Sequence, residues 1–81
     1  MSSKVLDGFN LVAYATHPEG GVPPRAFIES RPAQGEGEPQ VFEIFISRRF
    51  RSTVEAMSAA RNALAAVRSV DSQGVPDHLP G

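Results

Sequence analysis

Residues 41–71 read VFEIFISRRFRSTVEAMSAARNALAAVRSVD, and each half of this stretch declares its own element. In VFEIFIS, Phe42, Ile44 and Ile46 alternate with Val41, Glu43, Phe45 and Ser47, which is the two-residue period of a strand. After the basic corner RRFR, Ser52 is followed three residues later by Glu55, the spacing of a capping box. The hydroxyl accepts from the Glu55 amide and the carboxylate reaches back, so the helix starts near Thr53. Phe50, Val54, Met57, Ala60, Leu64 and Val67 then recur at steps of three and four residues. Ala56, Ala59, Ala63 and Ala66 widen that stripe into a face suited to close packing on a sheet. The turn-forming residues from Asp71 to Gly74, followed by Pro76, end the helix near Val70. The spacing therefore predicts a strand over 41–47 and a helix over 53–70.

Working outward, GFNLVAYAT alternates from Phe9 to Thr16 and predicts a strand. HPEGGVPP, from His17 to Pro24, is a connection, and RAFIE over 25–29 is a second, short strand. The loop over 30–40, SRPAQGEGEPQ, is long for a hairpin and has the composition of a mobile segment. Residues 1–8 are polar and read as a flexible N-terminus. Residues 71–81 read as a flexible C-terminal tail in which Val75 and Leu79 can act as tethers. The expected architecture is a single α+β domain over 9–70: a three-stranded antiparallel meander with one helix on one face. Phe9, Leu11, Ala13, Ala26, Ile28, Phe42, Ile44 and Ile46 would form the sheet's half of the core.

Bulk properties narrow the functional classes. A domain of 81 residues buries only roughly 60–65% of its chain surface, which leaves a thin stability margin. Without cysteine there is no disulfide or thiolate metal site to reinforce it, and oligomerisation is the remaining reinforcement. The net charge of −1 exerts no global attraction on nucleic acid or anionic membrane. The N-terminal residues lack the apolar core of a signal peptide, and no apolar run is long enough to span a bilayer. A cytoplasmic protein without a membrane partner is expected.

The sheet face opposite the helix carries the functional interest. Strand alternation places Val12, Tyr14, Phe27, Val41 and Phe45 there, interrupted by Arg25, Glu29 and Glu43, with no second helix to cover them. The leading expectation is a homodimer or protein-interaction module that uses this face. The alternative is a nucleic-acid-binding accessory, in which the aromatics stack on bases while Arg25, Arg48, Arg49 and Arg51 hold phosphates. Against it stand the carboxylates of Glu29 and Glu43 on the same face and of Glu36 and Glu38 in the loop. Arg48, Arg49 and Arg51 read rather as a solvated turn that keeps an exposed strand end from aggregating than as a phosphate grip.

Catalysis has little to draw on. His17 and His78 lie in proline-rich connections, where His17 with Glu19 and Asp77 with His78 are chance surface neighbours. The serines and glycines form no nucleophile-elbow or phosphate-binding pattern. No enzymatic activity, cofactor or metal is expected.

From Phe9 to Val70 the chain resembles small bacterial domains of unknown function built as three strands and a helix. The resemblance rests on the aromatic third strand and on the F-R-S-T-V-E-A-M-S-A-A of Phe50 to Ala60. It implies an architecture and a bacterial, cytoplasmic setting, and no activity. The long acidic connection before Gln40 departs from that pattern. Some DNA-binding sheets share the order of elements, but they carry an arginine-rich outward face that these strands lack.

Overall fold

A computed structural model describes residues 2–81. It has four strands: β1 (Ser2–Leu6), β2 (Phe9–Ala15), β3 (Ala26–Pro32) and β4 (Gln40–Ile44). The helix α1 (Thr53–Ala66) follows them. The sheet is antiparallel in the order β1-β2-β3-β4. The expected meander with its helix is present, but it has four strands rather than three.

The additional strand is the N-terminal segment expected to be loose. Leu6 pairs with Phe9 across Asp7 and Gly8, whose φ values of 50° and 84° make a type I′ turn, the two-residue loop that matches strand twist. From there β1 pairs along β2 as far as Ser2 opposite Ala13.

Helix α1 is shorter than the predicted 53–70, and the reason lies in other parts of the chain. Its N-cap is as expected, with the Ser52 hydroxyl accepting from the Glu55 amide. At the other end three side chains claim the backbone groups that further turns would need. Lys4 Nζ donates to the Val67 carbonyl at 2.6 Å, Val70 N donates to the Asp7 carboxylate at 2.8 Å, and Arg68 N donates to Asp77. The Arg68 amide holds the Asp77 carboxyl below its ordinary range. Val67 is already extended, and both it and Val70 are buried. A positive ammonium at a helix C-terminus is also electrostatically favourable.

The helix lies chiefly on β2, then on β3, and touches β1. Its buried residues are Ala56, Ala59, Ala60, Ala63 and Leu64, whereas Val54 is 76% exposed and Met57 is half-buried. The buried face is thus rotated from the large-residue stripe toward the alanines. Ala13 and Ala26 on the sheet are equally small, so small side chains meet on both sides and the helix backbone approaches closely.

Of the predicted sheet core, Leu11, Ala13, Ala26, Ile28 and Ile44 are buried, while Phe9 and Phe42 are half-buried. Ile46 is 67% exposed because β4 stops at Ile44, and Phe45 turns the chain with a φ of 53°. The tail is secured along this side of the domain. Pro80 O accepts from Phe45 N, the Gln73 carbonyl accepts from the Gln40 side chain, Val70 bridges Pro76, and Leu79 packs on the core. Buried Gly74 has φ +84°, and a Cβ there would come within 2.9 Å of the Phe9 ring. The connection from β3 to β4 shrinks to residues 33–39 because β3 runs on to Pro32, and Ala33 N donates to Gly8 O.

Ser30 is the buried polar residue of the core. It is 1% exposed, and its hydroxyl has no hydrogen-bond partner among the described residues. An unpaired buried hydroxyl costs roughly 1–3 kcal/mol. Ser30→Ala should therefore leave stability unchanged or raise it by up to about 1 kcal/mol in urea unfolding. A loss above about 1 kcal/mol would mean that the hydroxyl is satisfied in solution.

Candidate association surface

With Leu11, Ala13 and Ile28 turned toward the helix, alternation sends their neighbours to the other side of the sheet. The register places Tyr14 opposite Phe27 and Val12 opposite Glu29. Next to them Glu29 faces Val41, Phe27 faces Glu43, and Val5 faces Asn10. Among the described residues no helix or further strand lies over this face. Val5 is 62% exposed and Val41 is 51% exposed, whereas Val12, Tyr14 and Phe27 shield one another to half-burial.

The centre of the face is a stacked pair. The Tyr14 and Phe27 rings lie 5.1 Å apart at 15°, and the Arg25 guanidinium sits 5.3 Å from the Phe27 centroid. Partial burial, helped by the Glu29 carboxylate, raises the Tyr14 pKa. Arg25 donates to both carboxylate oxygens of Glu43 at 3.0 and 2.6 Å. That bidentate bond lowers the Glu43 pKa and raises that of Arg25. The stabilisation from Glu43 is accordingly present above the ordinary carboxylate range and is lost as pH falls through the lowered pKa. Arg31 donates to Glu29 at 2.8 Å in a second pair. The charged groups of the face are thus paired within the chain, and the Glu29 carboxylate lies between Val12 on β2 and Val41 on β4.

Four of the five residues expected on this surface, Val12, Tyr14, Phe27 and Val41, are brought together. Phe45 is not among them. Its left-handed backbone takes it out of the strand alternation and onto the core, where its ring meets Phe50 edge-on at 6.1 Å. Val5 joins the face through β1 and was absent from the sequence expectation. Two signals point to it: the alternation of Lys4 and Leu6 with Ser3 and Val5, and the Asp7-Gly8 turn pair before Phe9.

The four arginines do not form one cluster. Arg25 is engaged by Glu43, and Arg48 lies over the Phe50 and Phe45 rings at 4.8 and 5.7 Å. Arg49 and Arg51 are exposed at the corner before α1, where the Arg51 amide donates to Glu55. His17 Nδ1 lies 3.3 Å from the Thr53 hydroxyl, and His78 is 3.5 Å from Asp77. Among the described residues no three His, Cys, Asp or Glu side chains converge as a metal site, and no helix is long and apolar enough to cross a membrane. No protein family, curated protein or solved structure matches this chain.

Proposed function

We propose that this chain is a small non-catalytic domain that acts by association, as a homodimer or protein-interaction module using the sheet face opposite α1. The observation that carries this reading is the uncovered Tyr14–Phe27 stack with Val5, Val12 and Val41 around it. Apolar side chains grouped on one uncovered sheet face of a small domain mark a candidate interaction surface. Burying it between chains would also reinforce a core in which Ala13, Ala26 and the helix alanines supply much of the packing.

The alternative, a nucleic-acid-binding accessory, draws on the same aromatics with Arg25, Arg48, Arg49 and Arg51. It has less support, since Arg25 is neutralised by Glu43 and Arg48 is held on two rings. A phosphate backbone on the open face would also meet Glu29 and Glu43.

Sedimentation equilibrium over a wide concentration range tests the two readings. The wild-type chain should sediment as a dimer with little dependence on salt. Phe27→Asp should weaken association by about thirtyfold or more, since it buries a charge where a central aromatic stood. Changing Arg48 and Arg49 together to Ala should leave the mass unaltered. A monomer whose affinity for single-stranded oligonucleotides falls steeply with salt, and falls further in that double arginine variant, would reverse the order of the two readings.

A further inference from the structure

We infer that the junction between α1 and the tail is a two-state latch: docking of residues 2–7 beside β2 and helical continuation of α1 through residues 67–70 exclude each other. The latch is a moving part of the fold, independent of the association reading above, and its test reads no association.

The sequence favours the longer helix. The stripe of Ala60, Leu64 and Val67 carries on without a break, and the first residues that stop a helix are those from Asp71 to Gly74, with Pro76 behind them. Continuation to Val70 would give the Ala63, Leu64, Ala65 and Ala66 carbonyls their i+4 amides. In the structure Val67 N donates to Leu64 O at 3.1 Å, the tighter bond of a helix that is ending.

Docked β1 holds the shorter helix. Val67 has ψ 126°, and the helical value of about −42° would swing its carbonyl to the other side of the chain, away from Lys4 Nζ. The Val70 amide that donates to Asp7 is the one that Ala66 O would need. Lys4 and Asp7 belong to one hairpin: β1 pairs with β2 from Ser2 to Leu6, and Gly8 O at its turn accepts from Ala33 N. The two backbone groups are therefore captured together and released together when β1 leaves its place. The tail follows the same choice. Arg68 N and the Ser69 hydroxyl bind Asp77, Asp77 N binds Ser69 O, and Val70 bridges Pro76, all with residues 67–70 outside the helix.

Two arrangements with mutually exclusive contacts are what a switch requires. β1 covers the edge of β2 from Phe9 to Ala13 and brings Val5 to the open face. Its release would open that edge to another strand and lengthen α1 by one turn in the same event.

A crosslinked variant reads the exclusion. Ser3 pairs with Val12 in a chain without native cysteine, so Ser3→Cys with Val12→Cys gives a disulfide that holds β1 docked when oxidised and frees it when reduced. Lys4→Met and Asp7→Gly are added to remove both captures, glycine keeping the left-handed turn. In the oxidised form the Cα chemical shifts of residues 67–70 should stay non-helical. Reduction should turn them helical and remove the β1–β2 nuclear Overhauser effects in one step. The helical circular dichroism should rise by about a quarter, as residues 67–70 join a helix of 14 residues. The reduced cysteine variant with Lys4 and Asp7 intact should keep the short helix. Helical shifts over 67–70 in the oxidised form would show that the two states coexist and overturn the latch. Release of β1 without a longer helix would assign the helix end to the tail alone and overturn it as well. Global unfolding on reduction, or no change on reduction, would leave the docked form as the one folded state and equally overturn it.

Discussion

Removal of residues 1–6 should leave a chain that no longer unfolds cooperatively at 25 °C, or one whose Tm is lower by at least about 15 °C. If this segment were a loose leader, as its polarity suggests, its loss would change stability by less than about 0.5 kcal/mol. In the structure it is the edge strand β1, and the truncation removes several things together. Leu6 leaves the margin of the core, Lys4 no longer donates to the Val67 carbonyl, and the Asp7 turn that accepts from Val70 loses the strand that holds it. A hydrogen bond to a charged group is worth about 1.5–3 kcal/mol, and the partial burial of Leu6 adds to it. A total near 3–5 kcal/mol is comparable with the whole stability of a domain this size, roughly 4–12 kcal/mol. Thermal unfolding followed by circular dichroism reads the outcome directly. A truncated chain that melts with the wild type would show that β1 contributes nothing to the fold.

Ile28→Ala should destabilise the domain by about 2–5 kcal/mol, whereas Ile46→Ala should change stability by less than about 0.5 kcal/mol. The two residues were expected to share one apolar face, and strand periodicity does not separate them. Ile28 lies at 0% exposure in β3, between Ala13 on β2 and Phe42 on β4, in a strand that packs against α1. With alanine already at the paired position on β2 and alanines making up most of the buried helix face, the structure has little freedom to collapse into the cavity left by truncation. Ile46 lies beyond the end of β4 at 67% exposure. Urea unfolding of the two variants gives the comparison. Equal losses would place Ile46 in the core and return β4 to the longer span.

Most of the open face was legible because the period of a strand is two and does not drift. Once Leu11, Ala13 and Ile28 are assigned to the core, Val12, Tyr14, Phe27 and Val41 follow on the other side. Phe45 escaped that logic because a single left-handed residue ends the alternation, and φ > 0 is uncommon enough for a phenylalanine that sequence carries no warning of it. The corner it forms is completed by Arg48, whose amide donates to the Phe45 carbonyl and whose guanidinium covers both rings. Those partners were in plain view in RRFR, but their geometry depends on the tail accepting from Phe45 N through Pro80.

Local sequence was sufficient for the Ser52 cap and the start of α1, for three of the four strands, and for the side of the sheet on which the exposed aromatics lie. Each of these is encoded by neighbours within a few residues, through capping chemistry and side-chain period. Long-range contacts set the rest: where α1 ends, which of its faces is buried, and that residues 2–6 and 67–80 are integral to the fold. The helix ends at Ala66 because Lys4 and Asp7, more than sixty positions away, take the Val67 carbonyl and the Val70 amide. Its buried face is the alanine side because Ala13 and Ala26 on the opposing strands permit close approach. Such competition for backbone groups and matching of volumes arises only when distant segments meet, and no local period records it.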